Sequence, residues 1–154
     1  MVQQSVTAMW QHFLDSLGDN ADQHMTYTAW PFGGNRNQAR ELASLVKSGE
    51  KTATSSLHLL YEMDHEPVPK VDEYSIITDW DGEAEAIIQN VDVKIIPFHE
   101  ADQVLARKEG EGDKSLTYWR RVHIDFFTEE LEQLGKVFNE DMLIVCETFR
   151  VVYQ

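Results

Sequence analysis

The sequence has little cysteine, and its histidines are scattered. The single thiol, Cys146, excludes an internal disulfide, and its place in the apolar run Met142–Cys146 indicates a buried strand thiol rather than a nucleophile. The six histidines form no HxH or HxxxH pattern and no cluster with cysteine, so the sequence gives no support for a structural or catalytic zinc site. We therefore expect no metal and no other cofactor.

Basic residues are also scarce. There are 13 lysines and arginines against 27 aspartates and glutamates, and the formal net charge of −14 would repel a long nucleic-acid strand over most of the surface. Contact with a polyanion would have to be local. The cations available for such contact fall into two groups along the chain: Arg36, Arg40 and Lys51, then Arg107, Lys108, Lys114, Arg120 and Arg121.

Long apolar runs are missing as well. No run approaches the roughly 20 residues needed to cross a bilayer, and the start Met1–Gln4 has no basic segment of the kind that opens a secretory signal. We expect a cytoplasmic protein with no membrane contact. A chain of 154 residues, 42% of them hydrophobic, can bury one sizeable core but hardly two, so residues 1–154 are predicted to form a single domain.

Apolar periodicity predicts where the helices and strands lie. An amphipathic helix is predicted before Gly18, and a polar connection over residues 20–23. Residues 27–34 combine aromatic and turn residues, which suits a loop lining a pocket, although Trp30 and Phe32 could equally pack in the core. Further elements are predicted as a short helix at 57–61, strands at 74–78, 86–88 and 91–98, a long helix at 115–134 and a last strand at 142–153. The order predicts an α+β fold on a mostly antiparallel, barrel-like sheet.

The segment Gly49–Ser56 is the clearest candidate for chemistry. Gly49 supplies the left-handed residue that closes a helix with apolar positions from Ala39 to Val46. A lysine and several hydroxyls at this helix-to-strand junction could present a nucleophile and its activator. In an extended segment one face would carry Thr52, Thr54 and Ser56. Spacing alone favours the plainer alternative, a solvated lysine beside the start of a β-branched strand.

A second candidate is the acidic run before the long helix, where Glu109, Glu111 and Asp113 alternate with glycines. Carboxylates there favour the positive end of the helix dipole, so capping alone explains Asp113. Capping does not explain the interleaved glycines, which are more typical of a loop that approaches a ligand. On the helix itself, core positions are predicted for Trp119 and for Phe126-Phe127, and His123 between them fits a buried hydrogen-bonded residue or a cleft residue equally well.

These motifs belong to a set that runs in order from about residue 28 to the C-terminus. The set comprises Gly49-Glu50-Lys51-Thr52-Ala53-Thr54 (G-x-K-T-x-T), Pro97-Phe98, Glu109-Gly110-Glu111-Gly112-Asp113, Ser115-Leu116, Trp119-Arg120, His123 and Phe126-Phe127. In this combination the chain resembles the ASCH domains of the PUA-like β-barrel superfamily, particularly the larger bacterial subgroup with an extra N-terminal helix, here residues 1–20. The resemblance implies a PUA-like, mostly antiparallel β-barrel flanked by helices.

The resemblance also implies a cleft for RNA or a nucleoside-like ligand. Small bacterial ASCH proteins include amidohydrolases that remove the acyl group from N4-acetylcytidine, and others reported as ribonucleases. The acting residues of the amidohydrolases correspond here to Lys51, Thr54 and Glu111, with Glu109 and Asp113 as rivals for the glutamate. Substrate contacts are then expected from Trp30, Arg36, Thr52, Ser55, Arg120 and His123.

The chemistry expected of such a site depends on whether the lysine is charged. A threonine hydroxyl is a poor nucleophile until a base takes its proton, and Lys51 can be that base only when neutral. Burial favours the neutral form, whereas a nearby carboxylate opposes it. Glu111 is therefore expected to work as acid and base. If Glu111 is only an ion-pair partner of Lys51, the site binds without catalysis.

Three functions follow as hypotheses. The first is an amidohydrolase acting on an N4-acylated cytidine, with Lys51 and Thr54 pointing into one pocket and Glu111 nearer to it than its rivals. The second is a non-catalytic module that binds a modified nucleoside or RNA, with Trp30 or Tyr27 stacked on the base. The third is a ribonuclease, which would need a cationic track for the backbone, for example from Lys51 and the arginines Arg36, Arg40 and Arg120. The charge of −14 favours a small neutral ligand over long RNA.

Overall fold

The computed structural model describes residues 3–22 and 24–154. Residues 1 and 2 of the predicted 1–20 extension, and residue 23 of the predicted polar connection, therefore lie outside the described residues. The helices are α1 (Gln4–Leu17), α2 (Arg36–Ser48), α3 (His58–Met63), α4 (Gln103–Glu109) and α5 (Leu116–Glu132), with short 3-10 turns at Gly18–Asn20 and Phe98–Glu100. The strands are β1 (Tyr27–Pro31), β2 (Ala53–Leu57), β3 (Tyr74–Thr78), β4 (Ala84–Pro97) and β5 (Leu143–Tyr153).

One curled sheet, half of a barrel, organises the molecule. The strand order is β1-β3-β4-β5-β2; β1 pairs with β3 in parallel, and the other three neighbouring pairs are antiparallel. The predicted α+β class and the mostly antiparallel sheet are thus confirmed. The sequence did not reveal β1, whose residues were interpreted as a loop, because its pairing with β3 joins segments about 47 residues apart.

Helices α1 and α2 pack on different parts of this sheet. Val6, Trp10 and Phe13 bring the buried stripe of α1 onto Ile76 and Ile87 of the neighbouring strands β3 and β4. Helix α2 follows the side-chain cap of Asn35 and ends at Gly49, which has the left-handed backbone that the sequence predicted. Its buried residues Ala43 and Val46 pack in a second cluster with Phe32, Ile77, Ala86, Ile88 and Phe149.

Helix α5 closes the largest core cluster. Trp119, Phe127 and Leu131 pack there with Phe98 and with residues of β2 and β5. Cys146 of β5 is buried in the same cluster, as predicted, and burial raises the pKa of its thiol to about 11. Helix α4, which the sequence did not predict, packs against β2 and α5 and contributes Ala106 to this core. No helix in the described part of the chain combines the length and the apolar character needed to cross a bilayer.

Candidate functional site

The turn after α2 delivers Lys51 into the interior. Gly49 reverses the chain, and the backbone N–H groups of Glu50 and Lys51 both donate to the Leu45 carbonyl at 3.0 Å. Lys51 precedes β2, and its side chain is only 1% exposed. A lysine so deeply buried needs charge partners. The solvated lysine that spacing favoured is therefore not what the structure contains.

The end of α4 docks directly on this turn. The carbonyl oxygen of Lys108 accepts from the Thr52 backbone N–H at 2.7 Å and from the Thr52 hydroxyl at 3.0 Å. Gly110, the left-handed residue that ends α4, packs so closely that a Cβ there would overlap the Glu50 carbonyl oxygen. The absence of a side chain at residue 110 is what allows the acidic run to reach Lys51.

Close packing also explains the second glycine of the acidic run, Gly112. Gly112 has a φ of 58°, and a Cβ on it would overlap the Tyr118 ring. Flexibility beside a ligand, which the sequence suggested for these glycines, is therefore not needed to explain them. Close packing and positive φ angles account for both.

Lys51 contacts two carboxylates of the docked run. Its Nζ lies 2.8 Å from Glu111 Oε2 and 3.4 Å from Glu109 Oε1. The Glu109 side chain is 1% exposed, whereas the Glu111 side chain is 15% exposed. Both glutamates thus meet the lysine, and Glu111, the nearer one, is also the more accessible.

Glu109 is saturated with donors. Its Oε2 accepts from the Ser55 hydroxyl at 2.7 Å and from the Trp119 indole N–H at 2.6 Å, while Oε1 faces Lys51 and, at 3.3 Å, His123 Nε2. Burial opposes ionisation of Glu109, but the charges of His123 and Lys51 and the hydrogen bonds outweigh it and lower the pKa of this carboxyl to about 2. An ionised carboxylate with four donors has no free lone pair for a ligand. Glu109 holds the site together.

His123 is charged in this setting. Its Nδ1 lies 2.8 Å from the Trp119 carbonyl oxygen and its Nε2 faces the Glu109 carboxylate, so both nitrogens meet acceptors and both need a proton. Burial lowers the pKa of His123, but the Glu109 charge and hydrogen bond dominate and raise it overall. Two positive groups, Lys51 and His123, therefore balance two negative ones, Glu109 and Glu111.

Asp113 stands apart from this network. Its carboxylate accepts from the Ser115 backbone N–H at 2.9 Å, and Ser115 in turn caps α5 by accepting from the Tyr118 N–H at 3.1 Å. The role is local stabilisation before the helix, as the dipole argument indicated.

A cavity of about 400 Å³ opens over the network. Aromatic side chains of Phe32, Tyr118 and Phe126 line it beside Lys51 and the two glutamates. Its lining also includes the exposed acidic residues Glu41, Asp125 and Glu129. The arrangement combines flat apolar surfaces with a buried polar floor and an acidic rim, which suits a small planar ligand without negative charge.

Five of the site residues predicted from the sequence line this cavity: Lys51, Thr54, Ser55, Glu111 and His123. The Ser55 hydroxyl donates to Glu109 Oε2 at 2.7 Å and is committed to that carboxylate. Thr54 is half-buried, and its hydroxyl makes no hydrogen bond to any residue in the described part of the chain. Unlike the hydroxyls of Thr52 and Ser55, the Thr54 hydroxyl is therefore available to a ligand in the cavity.

Four predicted substrate contacts lie outside the cavity. Trp30 packs edge-on against Phe32, with ring centroids 4.7 Å apart. Arg36 pairs with Asp81, and Arg120 pairs with Glu140 and lies over the Phe98 ring. The Thr52 hydroxyl is committed to the Lys108 carbonyl. Tyr27, the other stacking candidate, packs on Trp10 instead.

The sequence missed the aromatic lining of the cavity. From the sequence, Phe32 fits a pocket loop and the core equally well, and Phe126 is predicted to lie in the core together with Phe127. The structure separates the pair, because Phe127 is fully buried while Phe126 is half-buried and faces the cavity. Helical spacing held the signal, since Phe126 follows His123 by three positions and so shares its side of α5. Phe32 lies near the lysine, whose Nζ is 5.2 Å from the ring centroid.

Glu109, Glu111 and His123 also offer a set of possible metal ligands. One ligand atom from each lies within 4.8 Å of the others, although the sequence contains no metal-binding spacing. Lys51 and the protonated ring of His123 already satisfy these carboxylates in the structure. A cation would have to displace the lysine ammonium and deprotonate the histidine.

Comparison with known proteins places this geometry in context. Residues 28–153 match the ASCH domain family. The crystal structure of an ASCH domain from Lactobacillus crispatus JV V101 is 33% identical, with a TM-score of 0.94 over 99% of this chain and 97% of that one. Protein EF3133 from Enterococcus faecalis V583 is 38% identical, with a TM-score of 0.88 over 97% and 89%. Hypothetical protein PH0355, 15% identical with a TM-score of 0.53 over 82% and 99%, shares the fold alone. No curated protein matches the sequence.

Proposed function

The chain belongs to the ASCH domain family and has its PUA-like α+β fold, and from this premise we propose that its cavity binds a modified cytidine and hydrolyses the N4-acyl group. The observation that carries the proposal is that the two glutamates at Lys51 differ in burial and in their hydrogen-bond partners. Glu109 is buried and saturated, whereas Glu111 is partly exposed at the cavity, and within the described part of the chain its carboxylate is bound by Lys51 alone. One carboxylate is free to exchange a proton with a ligand, and the other keeps the lysine in place.

The proposed reaction uses three side chains. The Thr54 hydroxyl attacks the acyl carbon, and its proton passes to Glu111. An ammonium has three donors and Lys51 uses two on the glutamates, so the third can stabilise the oxyanion. Glu111 then returns the proton to N4 as the C–N bond breaks, and the acyl group stays on Thr54 as an ester. Water attacks the ester carbon as Glu111 takes its proton and passes it to the Thr54 oxygen, and the acyl group leaves as a carboxylic acid.

The roles differ in one respect from those inferred from the sequence. There Lys51 was the base for Thr54, which requires a neutral lysine. In the structure Lys51 donates to two carboxylates, an arrangement suited to a cationic donor. We therefore propose Glu111 as the base and Lys51 as the group that stabilises the oxyanion.

The charges around the cavity support a nucleoside over RNA. Arg36 and Arg120, which a backbone track would need, are paired elsewhere, and Lys51 is committed to the glutamates. The acidic rim of Glu41, Asp125 and Glu129 would repel phosphates. Three of the four cations of that track are therefore paired within the chain, which weighs against the ribonuclease hypothesis.

A binding module without catalysis is the second candidate, and the closed charge network favours it. Two positive and two negative groups satisfy one another without a ligand, so the floor of the cavity could act as a fixed recognition surface. In that case Thr54 would hydrogen-bond the ligand rather than attack it.

The test is incubation of the purified protein with N4-acetylcytidine, with cytidine release followed by chromatography and binding measured by calorimetry. We expect turnover that Glu111→Gln and Thr54→Ala abolish, while Thr54→Ser retains part of it. Ser56→Ala is the matched control, because Ser56 bonds Tyr61 and does not line the cavity.

Binding without turnover would support the second candidate. Under that outcome Thr54→Ala should weaken binding by about 0.5–1.5 kcal/mol, the net value of one hydrogen bond. If the protein neither binds nor hydrolyses this nucleoside, the proposal is refuted.

A further inference from the structure

Strand β4 is longer than its neighbour on one side. It spans Ala84–Pro97, but β3 pairs with it only as far as Gln89. From Asp92 to Pro97, β4 pairs with β5 alone. Within residues 3–22 and 24–154, no other segment makes a backbone hydrogen bond to residues 91–97 along the opposite edge. An edge of this kind is a template for another strand.

The side chains on this edge are complementary to themselves. The sequence from residue 91 to residue 95 reads Val-Asp-Val-Lys-Ile. In an antiparallel pairing of two copies centred on Val93, Asp92 of each copy faces Lys94 of the other. The same register brings Val91, which lies at the bulge between Asn90 and Asp92, opposite Ile95. The Asp92–Lys94 contact and the Val91–Ile95 contact therefore each occur twice by symmetry.

The exposure of these residues is consistent with an unpartnered surface. Val91 is 52% exposed and Ile95 is 46% exposed, which is unusual for apolar residues in the middle of a strand. Within one copy, Asp92 and Lys94 approach each other at 3.9 Å as neighbours on the same face of the strand. Charged residues often protect edge strands, but here the two signs are spaced so that a second copy satisfies them.

We propose that two copies of this chain associate through the β4 edges, joining their five-stranded sheets into one continuous sheet with two-fold symmetry. The interface does not involve the cavity and does not depend on its function. Each copy carries a net charge of −14, so long-range repulsion opposes the dimer at low salt. The dimer should strengthen as moderate salt screens this repulsion.

The test is the mass of the full chain in solution, measured by sedimentation velocity and light scattering over a concentration series. We expect reversible dimers for the wild type. Lys94→Asp and Asp92→Lys each place like charges together twice and should weaken the dimer at least about tenfold. Lys136→Asp makes the same charge change as Lys94→Asp on an exposed loop and should leave the dimer unchanged.

An equimolar mixture of the two variants provides the decisive measurement. The mixed dimer would place two acidic residues of one copy opposite two basic residues of the other, so it should form where neither variant dimerises alone. Circular dichroism of each variant checks that the fold is intact. A wild-type monomer even at millimolar concentration, a dimer insensitive to both variants, or no recovery on mixing would each overturn the proposal.

Discussion

Removing the charge of Glu109 should destabilise the protein far more than removing the charge of Glu111. Glu109→Gln keeps the size of the side chain but leaves two buried cations, Lys51 and His123, without the carboxylate they share. The amide N–H₂ of the glutamine would replace one carboxylate oxygen and face the two donors that this oxygen accepts from, so those two hydrogen bonds would be lost. Removing one partner of a buried ion pair costs about 3–5 kcal/mol.

This cost translates into a clear change in melting temperature. For a chain of this length 1 kcal/mol shifts the Tm by about 2–4 °C, so Glu109→Gln should lower it by roughly 6–20 °C. Glu111→Gln removes a partly exposed carboxylate that pairs with Lys51 alone among the residues the structure describes, so the loss of Tm should be a fraction of that for Glu109→Gln. Thermal unfolding at pH 7, followed by circular dichroism, measures the Tm of both variants, and urea unfolding measures their unfolding free energies.

The pH dependence provides a second readout. The folded pKa of His123 is raised above 6.5, so its stabilisation is complete below that pH and is lost as the pH rises through the folded pKa. The pKa of Glu109 is lowered from 4.5 to about 2, so its stabilisation is present above 4.5 and is lost as the pH falls toward 2. In Glu109→Gln both dependences should flatten. Equal losses of stability at pH 7 in Glu109→Gln and Glu111→Gln would contradict the central role of Glu109.

Three further predictions concern other parts of the structure. Burial and, to a lesser extent, the charge of Glu73 raise the pKa of Glu147 from 4.5 to about 7. Glu147→Gln removes the cost of ionising this buried carboxyl, so its unfolding free energy should exceed that of the wild type by up to about 3 kcal/mol at pH 8, with no gain at pH 4. Gly110→Ala should destabilise the protein more than Gly135→Ala, because both residues have positive φ but a Cβ clashes only at the first; equal losses in urea unfolding would contradict the docking argument. The Cys146 thiol, with its pKa raised to about 11 by burial, should react with a thiol reagent at pH 8 only as fast as the chain unfolds, and rapid native labelling would disprove its burial.

Local features were predictable from the sequence, and features that depend on distant pairing were not. Helix α2 and its end at Gly49 were predicted correctly because the apolar period and the cap lie within a dozen neighbouring residues. Helix α4 was not, because it has only seven residues and two of these are buried. Strand β1 contains Trp30 and Pro31, a combination typical of a loop, and it is a strand because it pairs with the distant strand β3.

The same distinction applies to the site. The meeting of Lys51 with the acidic run was expected from the family resemblance, and the structure brings them together. The central place of Glu109 was not expected, because it depends on Trp119 and His123 being turned toward it by α5. Arg36 and Arg120 were chosen for their charge, but their acidic partners lie 45 and 20 residues away in the chain and could not be identified from spacing.

The buried position of Lys51 has a consequence for how the chain folds. Its two carboxylate partners are 58 and 60 residues further along the chain, and the lysine itself is held at the entrance to β2. A partly folded chain with β2 in place but residues 103–115 undocked would have to bury a lone ammonium or keep this end of the sheet open to water. Desolvation of a single charge is costly enough to make such a species rare. We therefore expect the docking of residues 103–115 and the assembly of the polar floor to be one cooperative event, so that a chain in which this segment is undocked lacks the site.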